Sequence, residues 1–343
     1  MQAYRAPPWL PGGNAQTIWA ATVARRFEGA PPHWRRERWD TPDGDFVDVD
    51  HLDVAQGPAH DAGHGAAPAA KPARHLVLFH GLEGSSASQY AQAFAAMARA
   101  RGWAYSVPHF RGCSGELNLA PRAYHSGDFE EIGWLLARLR AMHPAPLLVV
   151  GISLGGNALL RWAEEAGESA APIASAVAAV CSPIDLAASG QAIDRGFNRL
   201  VYARMFLATM KPKALAKLAR HPGLFDEERL RAARTLYEFD DIFTAPLHGF
   251  RDTQDYWARA SAKPRLADIR IPALVLNARN DPFVPVASLP PVDPATRSGR
   301  IGRVTLWRPD QGGHVGFPAG RYPAQVTAMP ATVCDWLVNP SLV

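Results

Sequence analysis

The pentapeptide Gly151-Ile-Ser-Leu-Gly155 matches the pattern G-x-S-x-G and is the first candidate for catalytic chemistry in this sequence. It follows the apolar run 147–150 and precedes a helix-like run over 154–166, so its serine lies between a strand and a helix. Glycines flank the serine because this turn is too tight for Cβ atoms. The N-terminus of the following helix favours negative charge that develops nearby. This pattern predicts that Ser153 is a nucleophile exposed at the edge of a sheet.

A serine hydroxyl is a weak nucleophile, so a base must come from elsewhere in the chain. His314 is the candidate, because it follows the apolar run 303–307 and is preceded by two glycines. Asp281 follows the apolar run 273–277, and Ser, Asp, His is the chain order that goes with this kind of turn. A carboxylate there would hold the imidazole tautomer and stabilise the imidazolium as Ser153 loses its proton.

Two other acids compete with Asp281 for the supporting position. Asp185 follows the apolar run 173–181, and Asp310 lies close to His314 in the sequence. We predict Asp281 because it stands at the carboxyl end of its strand, on the same sheet edge as the serine.

The segment His80-Gly-Leu-Glu-Gly84 follows the apolar run 75–79 and is the candidate oxyanion loop. With this kind of turn, one backbone N–H comes from such a loop and another from the residue after the nucleophile. We therefore predict that the N–H groups of Leu82 and Leu154 bind the tetrahedral intermediate. His80 is interpreted as a structural support of the loop.

A parallel sheet is needed to bring these residues to one edge. Short apolar runs alternate with helix-like segments, which is typical of a parallel sheet covered by helices on both faces. The predicted strands are 75–79, 103–107, 147–151, 173–181, 273–277 and 303–307. We therefore predict an α/β-hydrolase fold with a mostly parallel central sheet flanked by helices.

The sequence predicts one domain over 1–343 with two interruptions. Residues 188–262 are helix-like, apolar and rich in cations, and we predict that they form a helical cap insertion over the strand ends. Residues 55–73 have almost no large apolar side chains, which predicts a mobile loop. Residues 1–40 are predicted to form an irregular or helical arm. The alternation in 45–52 predicts a half-exposed antiparallel strand.

Composition and charge narrow the classes of function. The chain has 343 residues, of which 48% are hydrophobic and 20% charged, as in an ordinary globular protein. Its net charge of +4 is too small to indicate nucleic-acid binding. The three cysteines show no metal-ligand spacing, so we predict no metal, no cofactor and a reducing, cytoplasmic location. No apolar run has the length of a signal peptide or membrane span, which supports that location.

Part of the predicted cap combines apolar and basic side chains, as an interfacial helix does. The apolar residues Leu200, Val201, Phe206, Leu207 and Met210 alternate with cations there. More often, such a stretch has one face on a binding site and a solvated basic face. The sequence therefore does not favour membrane contact, and it leaves the oligomeric state open.

Several longer motifs are more specific than G-x-S-x-G. They are Asn14-Ala-Gln-Thr-Ile-Trp19, His80-Gly-Leu-Glu-Gly-Ser85, His109-Phe-Arg-Gly-Cys-Ser-Gly115, Tyr124-His-Ser-Gly127, Gly151–Asn157, 239–246, Asn280-Asp-Pro282 and 312–317. Together they resemble the YheT-type α/β-hydrolases, a family with plant embryogenesis-associated and animal lipase members. The resemblance covers 8–338 and implies hydrolysis of carboxylic esters by Ser153, Asp281 and His314. Arg111, Tyr124 and His125 also lie in these motifs, and we expect structural roles for them.

The combined expectation is a cofactor-free serine esterase that cleaves small acyl esters of short or medium chain length. Two alternatives stay open. An acyltransferase would use the same three residues and differ only in the alcohol that resolves the acyl-enzyme. A non-catalytic scaffold would bind a ligand or a partner, although such proteins have usually lost one of the three residues, and here all are present.

Overall fold

The computed structural model describes residues 4–53 and 72–341, and nine strands form one sheet within them. Residues 55–71 of the predicted mobile loop lie outside the described part. The strands are β1 (Trp34–Asp40), β2 (Phe46–Leu52), β3 (His75–Phe79), β4 (Ala104–Pro108), β5 (Leu147–Ile152), β6 (Ala174–Val180), β7 (Ala273–Leu276), β8 (Ser298–Ile301) and β9 (Val304–Trp307). Their order across the sheet is β1-β2-β4-β3-β5-β6-β7-β9-β8.

The six central strands are parallel, as the alternation of apolar runs predicts. Strands β4, β3, β5, β6, β7 and β9 all run in one direction, while β2 and β8 pair with their neighbours antiparallel. Every residue of β3, β5, β7 and β9 is buried. Complete burial requires helices on both faces of the sheet, which is why these strands are apolar except for His75 in β3 and Thr305 in β9.

The helices are α1 (Gly13–Thr22), α2 (Gln89–Ala100), α3 (Phe129–Ala141), α4 (Leu154–Ala166), α5 (Leu186–Ile193), α6 (Gly196–Asn198), α7 (Arg204–Arg220), α8 (Glu227–Ala232), α9 (Leu236–Phe239), α10 (Ala245–Leu247), α11 (Thr253–Ala260) and α12 (Ala328–Val338). Alternate residues of β5 divide the core between the two faces. Leu147 and Val149 pack with α3 and α4, whereas Leu148 and Val150 pack with α2 and α12.

The chain between β6 and β7 is helical, and it contains every helix from α5 to α11. Two π-helices interrupt it, over Arg199–Ala203 and Asp240–Thr244, and a 3-10 helix over Lys263–Asp268 ends it. The whole of the predicted cap, 188–262, lies within this helical segment, and its role as a cap stays a prediction. No helix among the described residues is long and apolar enough to cross a bilayer.

The structure corrects the sequence prediction for the N-terminal 50 residues. The predicted irregular or helical arm contains α1 but also strand β1, which pairs with β2. Strand β2 was predicted to be half exposed, but all seven of its residues are buried. The reason is that β1 supplies guanidinium groups to the acidic face of β2. Arg36 binds both carboxylate oxygens of Asp50, at 2.7 and 2.9 Å, and Arg38 binds both oxygens of Asp48, at 2.8 and 2.9 Å.

Candidate active site

Ser153 lies between β5 and α4, where the backbone turns sharply. Its φ of 50° and ψ of −117° are rare for a residue with a side chain. Glycines allow the close approach of neighbouring segments. A Cβ on Gly155 would lie 2.4 Å from the carbonyl oxygen of His80, and one on Gly151 would lie 2.5 Å from the carbonyl oxygen of Gly155. The turn thus has the local geometry that the pentapeptide predicts.

The structure brings Ser153, His314 and Asp281 together in one chain of hydrogen bonds. The Nε2 atom of His314 lies 3.0 Å from the Oγ atom of Ser153. The Nδ1 atom of His314 lies 2.9 and 3.1 Å from the two carboxylate oxygens of Asp281. Because a carboxylate accepts, Nδ1 must carry the proton, which leaves Nε2 of a neutral imidazole free to accept the serine proton. The Asp281 side chain is fully buried, and its Oδ1 also accepts the N–H groups of Phe283 and Val284.

The two competing acids are engaged elsewhere. Asp185 caps the N-terminus of α5 and forms an ion pair with Lys263 at 3.0 Å. Asp310 pairs with Arg279 and Arg297 at 2.8 and 3.1 Å. Neither acid contacts His314, so among the three candidates only Asp281 is placed to orient the imidazole.

Two residues of α1 hold the loop that carries His314, and the sequence analysis assigned them no role. The Oγ1 atom of Thr17 accepts the N–H of His314 at 2.8 Å. The Oε1 atom of Gln16 accepts the N–H of Gly312 at 2.9 Å and the side-chain amide of Asn280 at 3.0 Å. Both helix residues are buried. The sequence feature that could have identified them is that Gln16 and Thr17 are two adjacent polar residues inside the Asn14–Trp19 motif.

Replacing Thr17 with valine is expected to lower kcat by about 10²-fold and to leave KM nearly unchanged. Valine keeps the shape of the side chain but removes the acceptor for the His314 N–H, so the imidazole shifts relative to Ser153. Steady-state kinetics on a soluble ester measures the effect. Thr17→Ser keeps the hydroxyl and is expected to restore kcat. Equal losses in the valine and serine variants would contradict a positioning role.

The predicted oxyanion donors Leu82 and Leu154 both line the pocket that contains Ser153. Within residues 4–53 and 72–341, neither N–H has a protein acceptor. The N–H groups on either side of Leu82 are occupied, because Gly81 donates to the Tyr90 hydroxyl at 3.0 Å and Glu83 donates to the Tyr124 hydroxyl at 2.9 Å. This loop therefore leaves one N–H available beside the serine. Its oxyanion role stays a prediction.

The oxyanion loop is also tied to the helical segment between β6 and β7. The Nζ atom of Lys213 on α7 lies 2.8 Å from the Oε2 atom of Glu83. The hydroxyl of Tyr124 donates to the Oε1 atom of the same carboxylate at 3.0 Å. Glu83 has a positive φ of 57°, so both its backbone and its side chain are fixed.

The pocket at Ser153 lies between the sheet edge and the helical segment. It encloses about 1070 Å³ of space, including its open mouth. Its apolar lining comes mostly from the helical segment and includes Leu186, Ile193, Phe206, Met210, Leu236, Phe239, Phe243 and Trp257. Two half-buried acids, Glu83 and Asp240, also line it, and Asp240 accepts hydrogen bonds from Thr244 and Trp257. Burial raises the pKa of Asp240 to about 6.

Tyr124 and His125 do not belong to the hydrogen-bonded group at Ser153. The Tyr124 ring stacks on Phe110, with ring centroids 5.2 Å apart, while its hydroxyl holds Glu83. His125 packs against His248 at 4.4 Å, and burial lowers the pKa of His125 to about 3, so its imidazole is neutral. These contacts are consistent with structural roles.

Arg111 is buried in a cluster of acids. Its guanidinium lies 2.5 Å from Glu131, 2.9 Å from Asp45 and 2.8 Å from Asp43. Burial raises the pKa of Glu131, and the guanidinium of Arg111 opposes this rise. Arg111 therefore joins the β2 region to α3 by balancing buried negative charge.

We expect Arg111→Met to lower the free energy of unfolding by about 3–5 kcal/mol, because Asp45 and Glu131 would stay buried without their counter-charge. Urea unfolding followed by circular dichroism measures the change. The control is Arg251→Met, which removes an exposed ion pair with Asp252 and is expected to leave the free energy of unfolding nearly unchanged, because solvent screens such pairs. A loss for Arg111→Met as small as that of the control would contradict the structural role.

One cluster at the site has the composition of a metal site. Ligand atoms of Cys181, Asp281 and His314 lie within 4.8 Å of one another. The thiol of Cys181 donates to the carbonyl oxygen of Gly313, and burial together with the nearby Asp281 raises its pKa well above the usual range. A protonated thiol is a poor ligand, and Asp281 already binds the imidazole. The chemistry of this cluster thus fits a hydrogen-bonded acid–base pair better than a metal site.

The sequence is similar to proteins with hydrolytic names. Residues 74–320 match the family model described as alpha/beta hydrolase fold. The chain is 39% identical over 318 residues to YheT of Escherichia coli (strain K12), a protein named as an esterase, and the match covers 92% of this chain and 87% of YheT. It is 27% identical over 333 residues to the Mus musculus phospholipase ABHD3, covering 96% of this chain and 76% of that protein.

A solved structure shares the arrangement of sheet and helices. The puromycin-hydrolysing peptidase of Mycobacterium tuberculosis superposes with a TM-score of 0.52 at 16% identity, over 92% of this chain and 41% of that one. At this identity the likeness concerns the fold alone.

Proposed function

This chain belongs to the alpha/beta hydrolase fold family and, within it, to the YheT-like esterases, and on that premise we propose that it cleaves carboxylic esters through an acyl-enzyme on Ser153. The family confirms the predicted fold, and the protein is a hydrolase. The observation that carries the proposal is the chain of hydrogen bonds from Ser153 through His314 to Asp281.

The proposed reaction has two steps. The Oγ atom of Ser153 attacks the ester carbonyl carbon while Nε2 of His314 takes the hydroxyl proton. The carbonyl oxygen becomes an oxyanion beside the N–H groups of Leu82 and Leu154. Collapse of this intermediate expels the alcohol, which receives the proton from His314. A water molecule then gives a proton to His314 and attacks the acyl-enzyme, releasing the acid and restoring Ser153.

The proposed substrates are small acyl esters of short or medium chain length. The pocket lining is mostly apolar, which suits an acyl chain and provides few partners for a peptide backbone. Acyl transfer to an alcohol other than water is the second candidate, because the same residues form the same acyl-enzyme. A non-catalytic scaffold is the third, and it is disfavoured because the hydrogen-bonded group is complete.

Reaction with a fluorophosphonate probe tests the proposal. We expect one covalent label per chain, which peptide mapping places on Ser153, and no label in Ser153→Ala. Absence of labelling in the folded protein would favour the scaffold.

A series of p-nitrophenyl esters from acetyl to palmitoyl then measures the chain-length preference. Comparable kcat/KM for short esters and for long-chain triacylglycerol emulsions would contradict a short- or medium-chain preference. Product analysis with added alcohol separates hydrolysis from acyl transfer.

A further inference from the structure

Four large apolar side chains are exposed within nine residues at the start of the helical segment. The exposed fractions are 52% for Phe197, 70% for Leu200, 36% for Val201 and 53% for Met205. Arg195, Arg199 and Arg204 are exposed among them. We name these exposed side chains the basic–apolar patch, which consists of Arg195, Phe197, Arg199, Leu200, Val201, Arg204 and Met205. Clustered exposed apolar side chains usually mark a contact surface, whereas single ones do not.

The pocket does not explain these exposed side chains. Residues 196–220 form one continuous helical stretch with two different faces. The inward face is formed by Tyr202, which is buried against Phe283, and by Phe206 and Met210, which line the pocket. The patch residues lie on the opposite face. The sequence alone favours a solvated face here, but side-chain exposure shows that this face is apolar as well as basic.

The charge around the patch has one sign. From 195 to 225 the sequence contains seven Lys and Arg residues and no Asp or Glu. Within the described residues, the three patch arginines have no acid within ion-pair distance. The nearest acid in sequence, Asp194, instead accepts the N–H groups of Leu236 and Tyr237 at the start of α9. Arg199 is near enough to Asp194 and Glu238 for through-space attraction, but neither carboxylate holds it in a direct ion pair. All three guanidinium groups can therefore still bind an anionic partner.

The patch is next to the catalytic residues. The ring of Phe197 contacts Tyr202, which contacts Phe283, and the Phe283 ring lies 4.2 Å from the imidazole of His314. In the same stretch, the side-chain amide of Asn198 donates to the carbonyl oxygen of Pro282 at 2.7 Å. A surface bound by the patch would therefore be linked to His314 through three successive ring contacts.

We propose that the basic–apolar patch docks this protein on lipid surfaces that carry anionic headgroups. Exposed apolar chains would enter the boundary between headgroups and acyl chains, while the arginines bind lipid phosphates. A lipid surface fits better than an acidic protein, because a side chain as exposed as Leu200 protrudes and needs no complementary cavity. Docking of this kind does not depend on the proposed acyl-enzyme, so Ser153→Ala retains it.

Vesicle flotation of the full chain tests the proposal. The vesicles are made of phosphatidylcholine and the anionic lipid phosphatidylglycerol. At about 0.01 M salt we expect the protein to bind them, and at about 1 M salt, where charges are screened, we expect most of this binding to be lost. Leu200→Glu combined with Met205→Glu is expected to lower the partition coefficient by roughly tenfold or more. Arg199→Gln or Arg204→Gln is expected to lower it about fivefold each.

The matched control is Met142→Glu, which changes an equally exposed methionine outside the patch and is expected to leave binding unchanged. The rate at which each patch variant hydrolyses a soluble ester is measured as well. An unchanged rate shows that the variant is folded and that the substitution affects docking and not catalysis. Absence of wild-type binding to anionic vesicles at low salt would overturn the proposal. So would equal binding by the wild type and the Leu200→Glu/Met205→Glu variant, or binding of an acidic polypeptide with no binding of vesicles.

Discussion

Replacing Ser153 with alanine is expected to lower kcat for ester hydrolysis by about 10⁴-fold or more and to change KM little. The change removes the Oγ atom that lies 3.0 Å from Nε2 of His314, so no acyl-enzyme can form. The pocket lining that binds the substrate is not altered. Steady-state kinetics on a p-nitrophenyl ester, with protein concentration checked by active-site titration of the wild type, gives the ratio.

Ser182 provides a matched control for this prediction. It follows β6 at the same sheet edge, it is buried, and its Oγ atom has no hydrogen-bond partner among the described residues. Ser182→Ala is therefore expected to retain activity. The double variant Ser153→Ala/His314→Ala should lose no more than Ser153→Ala, because residues that act as one unit are not additive. A further large loss in the double variant would mean that His314 acts independently of Ser153.

The parallel part of the fold was predictable from the sequence because its strands are mostly apolar. A strand that is buried on both faces has few polar side chains, because each of them would need a hydrogen-bond partner, and this composition identifies the strand. The placement of Ser153, Asp281 and His314 at one edge of the sheet was predictable for the same reason, since each follows such a strand. Strand β1 has few apolar residues, because its arginines pair with the buried acids of β2. Composition alone cannot reveal that pairing.

The support of the histidine loop was not predictable for a different reason. Thr17 and His314 are 297 residues apart in the sequence, and their hydrogen bond depends on how α1 docks against the sheet edge. A polar pair inside a short helix has the same local pattern whether it faces solvent or a buried loop. Only the tertiary contact distinguishes the two.

A local irregularity in the helical segment changes which side chains face the pocket. Leu200, Val201, Phe206, Leu207 and Met210 form one apolar set in the sequence, but the first two are exposed and the others are buried or line the pocket. The π-helix over Arg199–Ala203 adds one residue to a turn, and each residue rotates an α-helix by about 100°. A regular helical pattern extended through this turn therefore assigns side chains to the wrong face.

Replacing Asp281 with asparagine is expected to lower kcat by about 10⁴-fold while the fold is retained. The N–H groups of Phe283 and Val284 both donate to Oδ1, so the amide oxygen of asparagine would occupy that position. Its NH₂ group would then face Nδ1 of His314, which must accept. The imidazole proton would move to Nε2, the atom that has to accept the proton of Ser153.

Asp185→Asn and Asp310→Asn are the matched controls, because they make the same chemical change in the two competing acids. Each of those side chains binds a cation instead of the imidazole, at Lys263 for the first and Arg279 for the second. Both variants are expected to keep kcat within about threefold of the wild type, since neither carboxylate contacts His314 or Ser153. If either control lost activity as severely as Asp281→Asn, the assignment of Asp281 as the acid that orients His314 would be contradicted. If Asp281→Asn alone fails while its melting temperature is unchanged, the loss arises from the imidazole tautomer and not from unfolding.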